Sequence, residues 1–542
     1  MLPTILYNKK YAWRMIILYL VLYNRHNFGF YSQKLTNFIL YKDKRKLINA
    51  FIFRLMIKTP LYKDKYHREI SKVETKINLD IVKLEENIFK IKTIPEDGES
   101  IKTIETNLKS MIYNDTVHSN LDKISGAIYN KPDSKEIKLF TMVLNIYCKT
   151  NPLHADVFPS LISMEKDIVS MTKKLFNCPE GEGSGTMTSG GTESIILALV
   201  GYREYARKHK GIYSPEMVAP ITVHCAFDKG CKYLGITLHK INIDRNNNID
   251  KCMLLSHINH NTILLVGSAP SFPNGIIDDI SLLGKLGKQY DIPVHVDACL
   301  GGFVLPFLDS NTKMLPKFDF LVEGVTSISA DTHKYGCCPK GSSVLLFKKK
   351  TLLESCYFIQ SDWTGGIYAT TNLTGSRSGL SIAWTWSTLR FIGKTQFYIQ
   401  ANNISDNVIK IRDAFNNDND VFIFGQPNVC VVAFGSDVFD IYILSQKMKA
   451  LGWHLNELQN PPSFHLCVTN RHTKDIIDLF IKDLKQSIHE IINDKKNNSL
   501  VSSSNSKKEA SVSGSIYGTT QKVPDQNSVD AIVKTYLNAI HV

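Results

Sequence analysis

"SLLGKLGKQYDIPVHVDA", Ser281–Ala298, decides the fold. Its first half is amphipathic at helical spacing, and its second half, "IPVHVDA" (Ile292–Ala298), is a short apolar run of strand length. Similar runs stand on either side of it: "TILLVGSAP" (Thr262–Pro270) upstream and "SSVLLF" (Ser342–Phe347) downstream. Apolar strands alternating with amphipathic helices predict an α/β domain with a mainly parallel sheet. We expect this large domain over 125–400, preceded by a helical linker over 76–124. A smaller α/β domain is expected over 401–542, interrupted by the polar low-complexity stretch 495–514, which reads as a flexible insert. After that insert Val529, Ile532, Val533, Tyr536, Leu537 and Ile540 are spaced as one apolar helix face.

The 542 residues leave room for two or three domains, and 43% hydrophobic content suits a large core. The net charge of +13 is unevenly spread. Residues 1–75 hold 15 Lys/Arg against four acids, a surplus of 11, so the remaining chain carries only +2. A nearly neutral body argues against nucleic acid as a partner. The basic arm contains "MIILYLVLY" (Met15–Tyr23), nine apolar residues where a spanning helix needs about 20. A membrane anchor, an interfacial helix and a transit peptide all remain open for it. The 11 cysteines include no CxxC pair, which points away from zinc and disulfides and toward a reducing compartment.

Four motifs carry chemistry. "GEGSGTMTSGGTES" (Gly181–Ser194) runs into the helical "IILALVGYREYARKHK", a glycine-rich entry to a helix N-terminus and so an anion site. Gly191 stands where a P-loop would have lysine, so one phosphate group held by backbone and Thr192 fits better than a nucleoside triphosphate. Asp297 ends an apolar strand, where ligands bind in open α/β sheets. His224 follows another strand in "APITVHCAFDKG". In "SADTHKYGCCPKG" (Ser329–Gly341), His333 and Lys334 sit in a tight turn 37 residues after Asp297. An anion cradle, a carboxylate, an imidazole and a lysine are together what pyridoxal phosphate requires: an amine for its aldehyde, an acid partner for its ring nitrogen and a flat face for its ring.

These residues lie in segments that resemble the sphingosine-1-phosphate lyase family, within the group II decarboxylase-like branch of fold type I pyridoxal phosphate enzymes. The similar segments include "SGAIY", "NPLHADVFPS", "TSGGTES", "HCAFDKG", "HVDACLGGF", "SISADTHKYG", "PKGSS", "DWTGGIYA", "GSRSG" and "GSIYG". The resemblance implies a fold type I large domain, with Lys334 as the Schiff-base lysine and Asp297 as partner of the pyridine nitrogen. His224 would stack on the ring, and Gly191, Thr192 and His333 would lie near the cofactor phosphate. It makes Lys340 a second catalytic lysine, with Lys340 and Tyr368 as candidates for proton transfer. Tyr129, Asn151, His154, Tyr368 and Tyr517 would line the site of a phosphorylated sphingoid base. It further implies a homodimer with shared active sites, and an endoplasmic reticulum membrane location with the catalytic domain facing the cytosol. The alternative activity is amino-acid decarboxylation on the same fold. Two positions depart from the family pattern: Cys337-Cys338 between the two lysines, and Ser378 with Leu380 after Arg377.

Overall fold

The three apolar runs lie on strands of one seven-stranded sheet: β1 (Ser184–Thr188), β2 (Glu216–Pro220), β3 (Thr237–Ile241), β4 (Thr262–Ser268), β5 (Val294–Asp297), β6 (Val325–Ala330) and β7 (Ser343–Phe347). Their order is β1-β7-β6-β5-β4-β2-β3. From β3 to β6 every neighbouring pair is parallel, and β7 runs antiparallel between β6 and β1. This computed structural model describes residues 93–498 except 118, 119, 310, 311 and 314, together with 526–541 and part of 64–79.

The strands are apolar on both sides because both faces are covered. Side chains alternate across a strand. On β7, Val344 and Leu346 enter one core while Leu345 and Phe347 enter the other, all at most 1% exposed. On β2, Val218 faces the first core, and Met217 and Ala219 the second. Each such aliphatic side chain contributes about 1.5–3 kcal/mol on burial, so a one-residue slip of any strand would exchange its two faces at large cost.

Five helices position the site: α1 (Pro159–Leu175), α2 (Gly191–Lys210), α3 (Cys225–Leu234), α4 (Ile280–Gln289) and α5 (Gly379–Phe415). α2 and α3 cover one face of the sheet, and α1, α4 and α5 contribute to the core on the other. α2 stops at Gly211, whose φ of 65° makes a left-handed cap, and Arg207, Lys208 and Lys210 in its last turn complement the helix dipole. α5 is kinked at Gly393, where φ is 67°.

A four-stranded antiparallel sheet, β10 (Phe422–Ile423), β11 (Val431–Gly435), β12 (Asn456–Leu458) and β13 (Ser463–Cys467), has the order β10-β11-β13-β12 and shares the first core. Two further strands, β8 (Phe358–Trp363) and β9 (Gly366–Thr370), form a separate hairpin. All six residues of β8 are exposed.

The expected boundary at 400/401 falls inside α5, and the second sheet begins only at Phe422. The first residues of the polar stretch expected to loop from 495 are helical, because α6 (Lys474–Asn498) runs into it, and Lys495 Nζ donates to the Val438 carbonyl at 2.8 Å. The chain divides into two compact units, one holding Ile112–Ser504 and the other the residues before 112 and after 504. The last helix, α7 (Gln526–Ala539), therefore does not belong with the small sheet as expected. Its Ile532 finds a buried partner in Ile77, with Tyr536 and Ala539 packed beside them, whereas Leu537 and Ile540 of the expected apolar face are exposed. The "MIILYLVLY" run, most of the basic arm, Tyr517 and 499–514 lie outside the described residues. Among those described, no helix is long and apolar enough to cross a membrane.

Candidate active site

The carboxyl ends of β1, β2, β5 and β6 meet at one edge of the sheet, and the four sequence motifs follow those ends. Gly190-Gly191 comes after β1, His224 after β2, Asp297 is the last residue of β5, and Asp331 to Lys334 come after β6. In parallel sheets this edge is where ligands bind.

Asp297 is 6% exposed. Its Oδ1 accepts the Cys299 N–H at 3.0 Å and the Ser329 hydroxyl at 3.5 Å. The Lys334 turn is pinned from behind: Thr332 Oγ1 donates to Ser342 Oγ at 2.7 Å, and the Ser342 N–H donates to His333 Nδ1 at 3.2 Å. Lys334 Nζ meets Asp331 Oδ2 at 2.9 Å. Burial on its own would lower the lysine's pKa; the Asp331 charge, assisted by Cys299 and Tyr129, overrides it and raises the pKa. The Asp331 Oδ1 is buried and has no hydrogen-bond partner among the described residues.

Lys340 lies 4.9 Å from the ring centre of Tyr129, a cation–π distance. Tyr129 in turn meets Tyr335 edge-on at 4.9 Å, and Tyr335 donates its hydroxyl to the Val468 carbonyl at 2.6 Å. Burial and the neighbouring Lys334 charge push the Lys340 amine below the ordinary lysine value, so it exchanges protons more readily near neutrality. His333 is likewise lowered, by burial first and then by both lysine charges, with Asp331 opposing.

At the start of α2, Gly190 provides no side-chain cap. The N–H groups of the first turn, Gly191 and Thr192 among them, are therefore available to an anion. A Cβ on Gly191 would lie 2.9 Å from both Asp331 carboxylate oxygens and from Cys299 Sγ, so only glycine allows the helix end to approach the lysine turn. His224 caps α3 by accepting the Ala226 N–H at Nδ1, 3.1 Å, which leaves its proton on Nε2. Its ring meets Phe272 edge-on at 6.3 Å.

The remaining expected residues sit apart within one chain. Asn151 donates to Ser376 Oγ at 3.1 Å and accepts the Arg377 N–H at 3.2 Å. Tyr368, on β9, packs edge-on against Phe358 and Trp363. His154 is exposed. Among the described residues none of these three hydrogen-bonds to Lys334 or Lys340.

Sequence reasoning passed over several groups. Asp331 was visible three residues before Lys334, inside the quoted motif. Glu165 and Arg377 form a bidentate pair at 2.9 and 2.8 Å. Burial would raise Glu165, but Arg377, the Met187 N–H and the Thr186 hydroxyl hold it below the usual carboxylate range. This pair lines a cleft of about 730 Å³ with Leu153, Thr186, Ala369 and Thr370, adjoining Asn151 and the hairpin. No local signal links residues that far apart. Of the two departures, Cys337 and Cys338 are buried free thiols, Cys337 with a left-handed φ of 58°, and they fill the turn as packing residues. Ser378 serves as the N-cap of α5, accepting from the Ser381 N–H at 3.4 Å.

The donor set fits pyridoxal phosphate: a half-buried amine, a carboxylate at a strand end, a helix N-terminus without a side-chain cap, and at Asp331 an acceptor oxygen beside the amine that has no partner among the described residues. Residues 85–436 match the pyridoxal-dependent decarboxylase conserved domain, which places the chain among pyridoxal phosphate enzymes of the decarboxylase-like fold. A glutamate decarboxylase of Lactobacillus brevis, 19% identical, shares that fold with a TM-score of 0.64 over 76% of this chain and 97% of its own. Similarity is greater to sphingosine-1-phosphate lyases. That of Drosophila melanogaster is 40% identical, covering 90% of this chain and 88% of its own length, and that of Saccharomyces cerevisiae is 36% identical over 90% and 82%. A solved lyase structure from Burkholderia pseudomallei is 33% identical, with a TM-score of 0.71 over 77% of this chain and 98% of that one. The chain belongs to the sphingosine-1-phosphate lyase family, and pyridoxal 5'-phosphate is its cofactor.

Proposed function

We propose that this protein cleaves sphingosine 1-phosphate and related phosphorylated long-chain bases between C2 and C3, giving a fatty aldehyde and phosphoethanolamine. The observation that carries the reading is the meeting of the Lys334–Asp331 pair, Asp297 and the uncapped start of α2 at one sheet edge, in a chain of this family. When bound, pyridoxal phosphate supplies an aldehyde for amines and a ring that accepts electrons from the breaking C–C bond.

Lys334 is the amine that would hold the cofactor. Asp297 would pair with the ring nitrogen, His224 would offer its imidazole face, and Gly191, Thr192 and His333 would receive the phosphate end. Lys340, with its lowered pKa, takes the C3 hydroxyl proton or returns one to carbon, and Tyr368 is the second candidate for that transfer. Tyr129, Asn151 and His154 are the candidates for contact with the substrate.

The same reading makes the protein a homodimer with composite sites. Its support is the hairpin that carries Tyr368: Trp363 is 54% and Ile367 80% exposed, an apolar surface suited to a second subunit. The basic arm addresses the catalytic unit to the cytosolic side of the endoplasmic reticulum membrane, where the lipid substrate resides. Purified protein given sphingosine 1-phosphate should release long-chain aldehyde, and given amino acids should release no carbon dioxide. Carbon dioxide without aldehyde would replace this reading with decarboxylation.

A further inference from the structure

Behind Asp297 lies a buried chain of hydrogen bonds that no step above uses. Tyr202 on α2, 1% exposed, donates its hydroxyl to Ser327 Oγ at 2.5 Å. Ser327 Oγ lies 2.7 Å from His295 Nδ1, and His295 Nε2 lies 3.1 Å from Ser329 Oγ. Ser329 Oγ reaches Asp297 Oδ1 at 3.5 Å, the longest link. His295, Ser327 and Ser329 are each 0% exposed. His295 and Asp297 are two apart on β5, and Ser327 and Ser329 two apart on β6, with His295 paired to Ser327 and Asp297 to Ser329. Strand periodicity therefore puts all four on one face.

The direction of this chain is fixed at one end. An ionised carboxylate only accepts, so Ser329 donates to Asp297 and must itself accept from His295. His295 then carries its proton on Nε2, and its Nδ1 accepts from Ser327, which accepts from Tyr202. All four links run the same way. The charged or titratable groups around the imidazole are Asp297, Cys299, which contacts Ser329 at 3.3 Å, and Tyr202; Phe227 meets its ring at 5.9 Å. Burial pushes His295 down to about 4, with the Asp297 charge opposing, so the ring is a neutral donor throughout the working range.

Resting on the proposed pairing of Asp297 with the cofactor ring nitrogen, we infer that His295 is a positioning residue that, through Ser329, donates a hydrogen bond to Asp297 and keeps it ionised. A carboxylate that accepts this bond holds a proton less tightly, which leaves the proton on the ring nitrogen. The effect of one charge-assisted link is about tenfold in proton affinity, at the low end because the last contact is long.

The test uses holoenzyme rebuilt with pyridoxal phosphate labelled with ¹⁵N in its ring. In His295→Leu and in Ser329→Ala the ring resonance should move toward the unprotonated position and the cofactor dissociation constant should rise about tenfold. The double variant should do no more than either single one. His295→Gln, whose amide N–H replaces the Nε2 donor, should restore most of the parent signal. An unchanged resonance in Ser329→Ala overturns the inference, whether or not His295→Leu folds. If the parent itself shows no protonated ring nitrogen, or Asp297→Asn leaves its resonance unchanged, the Asp297 assignment fails instead.

Discussion

Replacing Asp331 with Asn removes the charge that holds Lys334 protonated. The two groups are 2.9 Å apart, with 21% of the lysine and 2% of the aspartate side chain exposed. Opposite unit charges at that separation interact by about 6 kcal/mol at an effective dielectric near 20. At about 1.36 kcal/mol per pKa unit this sets a ceiling of about four units. Water at the open end of the amine screens part of it, and we expect a fall of roughly two units. Burial, the largest influence on Lys334, already favours the neutral amine and is unopposed once Asp331 is gone.

The sign is therefore definite: Asp331→Asn should react faster with the cofactor aldehyde at pH 7–8, because more of the amine is neutral. The assay is the rate of visible absorbance growth when cofactor-free protein meets pyridoxal phosphate, followed across pH. The parent rate should keep rising toward alkaline pH, while the variant should level off about two units sooner. The raised lysine pKa contributes stability that is fully present below the ordinary lysine value and lost only as pH rises through the raised one. At neutral pH the cofactor-free variant should consequently be less stable by about 3 kcal/mol, two units at about 1.36 kcal/mol each, read as a lower melting temperature. Superimposable pH–rate curves for the two proteins would refute the claim that Asp331 governs the amine.

Three further outcomes follow from the site. Asp297→Asn should retain the cofactor yet lose about two to four orders of magnitude in turnover, roughly 3–5 kcal/mol, checked by comparing absorbance with aldehyde release; near-normal turnover would remove it from the electron-sink role. Mixing inactive Lys334→Ala with inactive Tyr368→Phe subunits should recover part of the activity if the hairpin serves the neighbouring site, and no recovery despite demonstrated subunit exchange would put both residues in one chain. Removing residues 1–75 should move the protein from the membrane to the soluble fraction while it still cleaves detergent-dispersed substrate. The arm's basic residues contribute about 1 kcal/mol each near anionic lipid. If full-length and truncated chains both fractionate as soluble, the arm is no anchor.

The large sheet was legible because β4 and β7 are buried throughout and read as apolar runs, as "TILLVGSAP" does over β4. Lys334, Asp297 and Gly191 could be put forward from the sequence because each lies at or shortly after the end of a strand, and those strand ends share one edge of the sheet. The second layer was not. His295 looks like one more core residue of an apolar strand until β6 brings Ser327 and Ser329 against its two nitrogens. Glu165 and Arg377 meet only through the packing of α1 against the loop before α5. The boundary near 400 was misplaced because α5 continues past the kink at Gly393 with buried residues on both sides of it, Leu389 and Phe397. The last helix was grouped with the wrong residues because periodicity shows that an apolar face exists but not what covers it; Ile532 is covered by Ile77, more than four hundred positions earlier.

The most direct test of the whole account is to locate the covalent bond. Holoenzyme reduced with borohydride and digested should yield one cofactor-bearing peptide, with the modification on the lysine of "SADTHKYG", Lys334. Lys334→Ala should lose both that peptide and the visible absorbance. An adduct on Lys340 or any other lysine, or trapping that survives in Lys334→Ala, would contradict the assignment on which the mechanism stands.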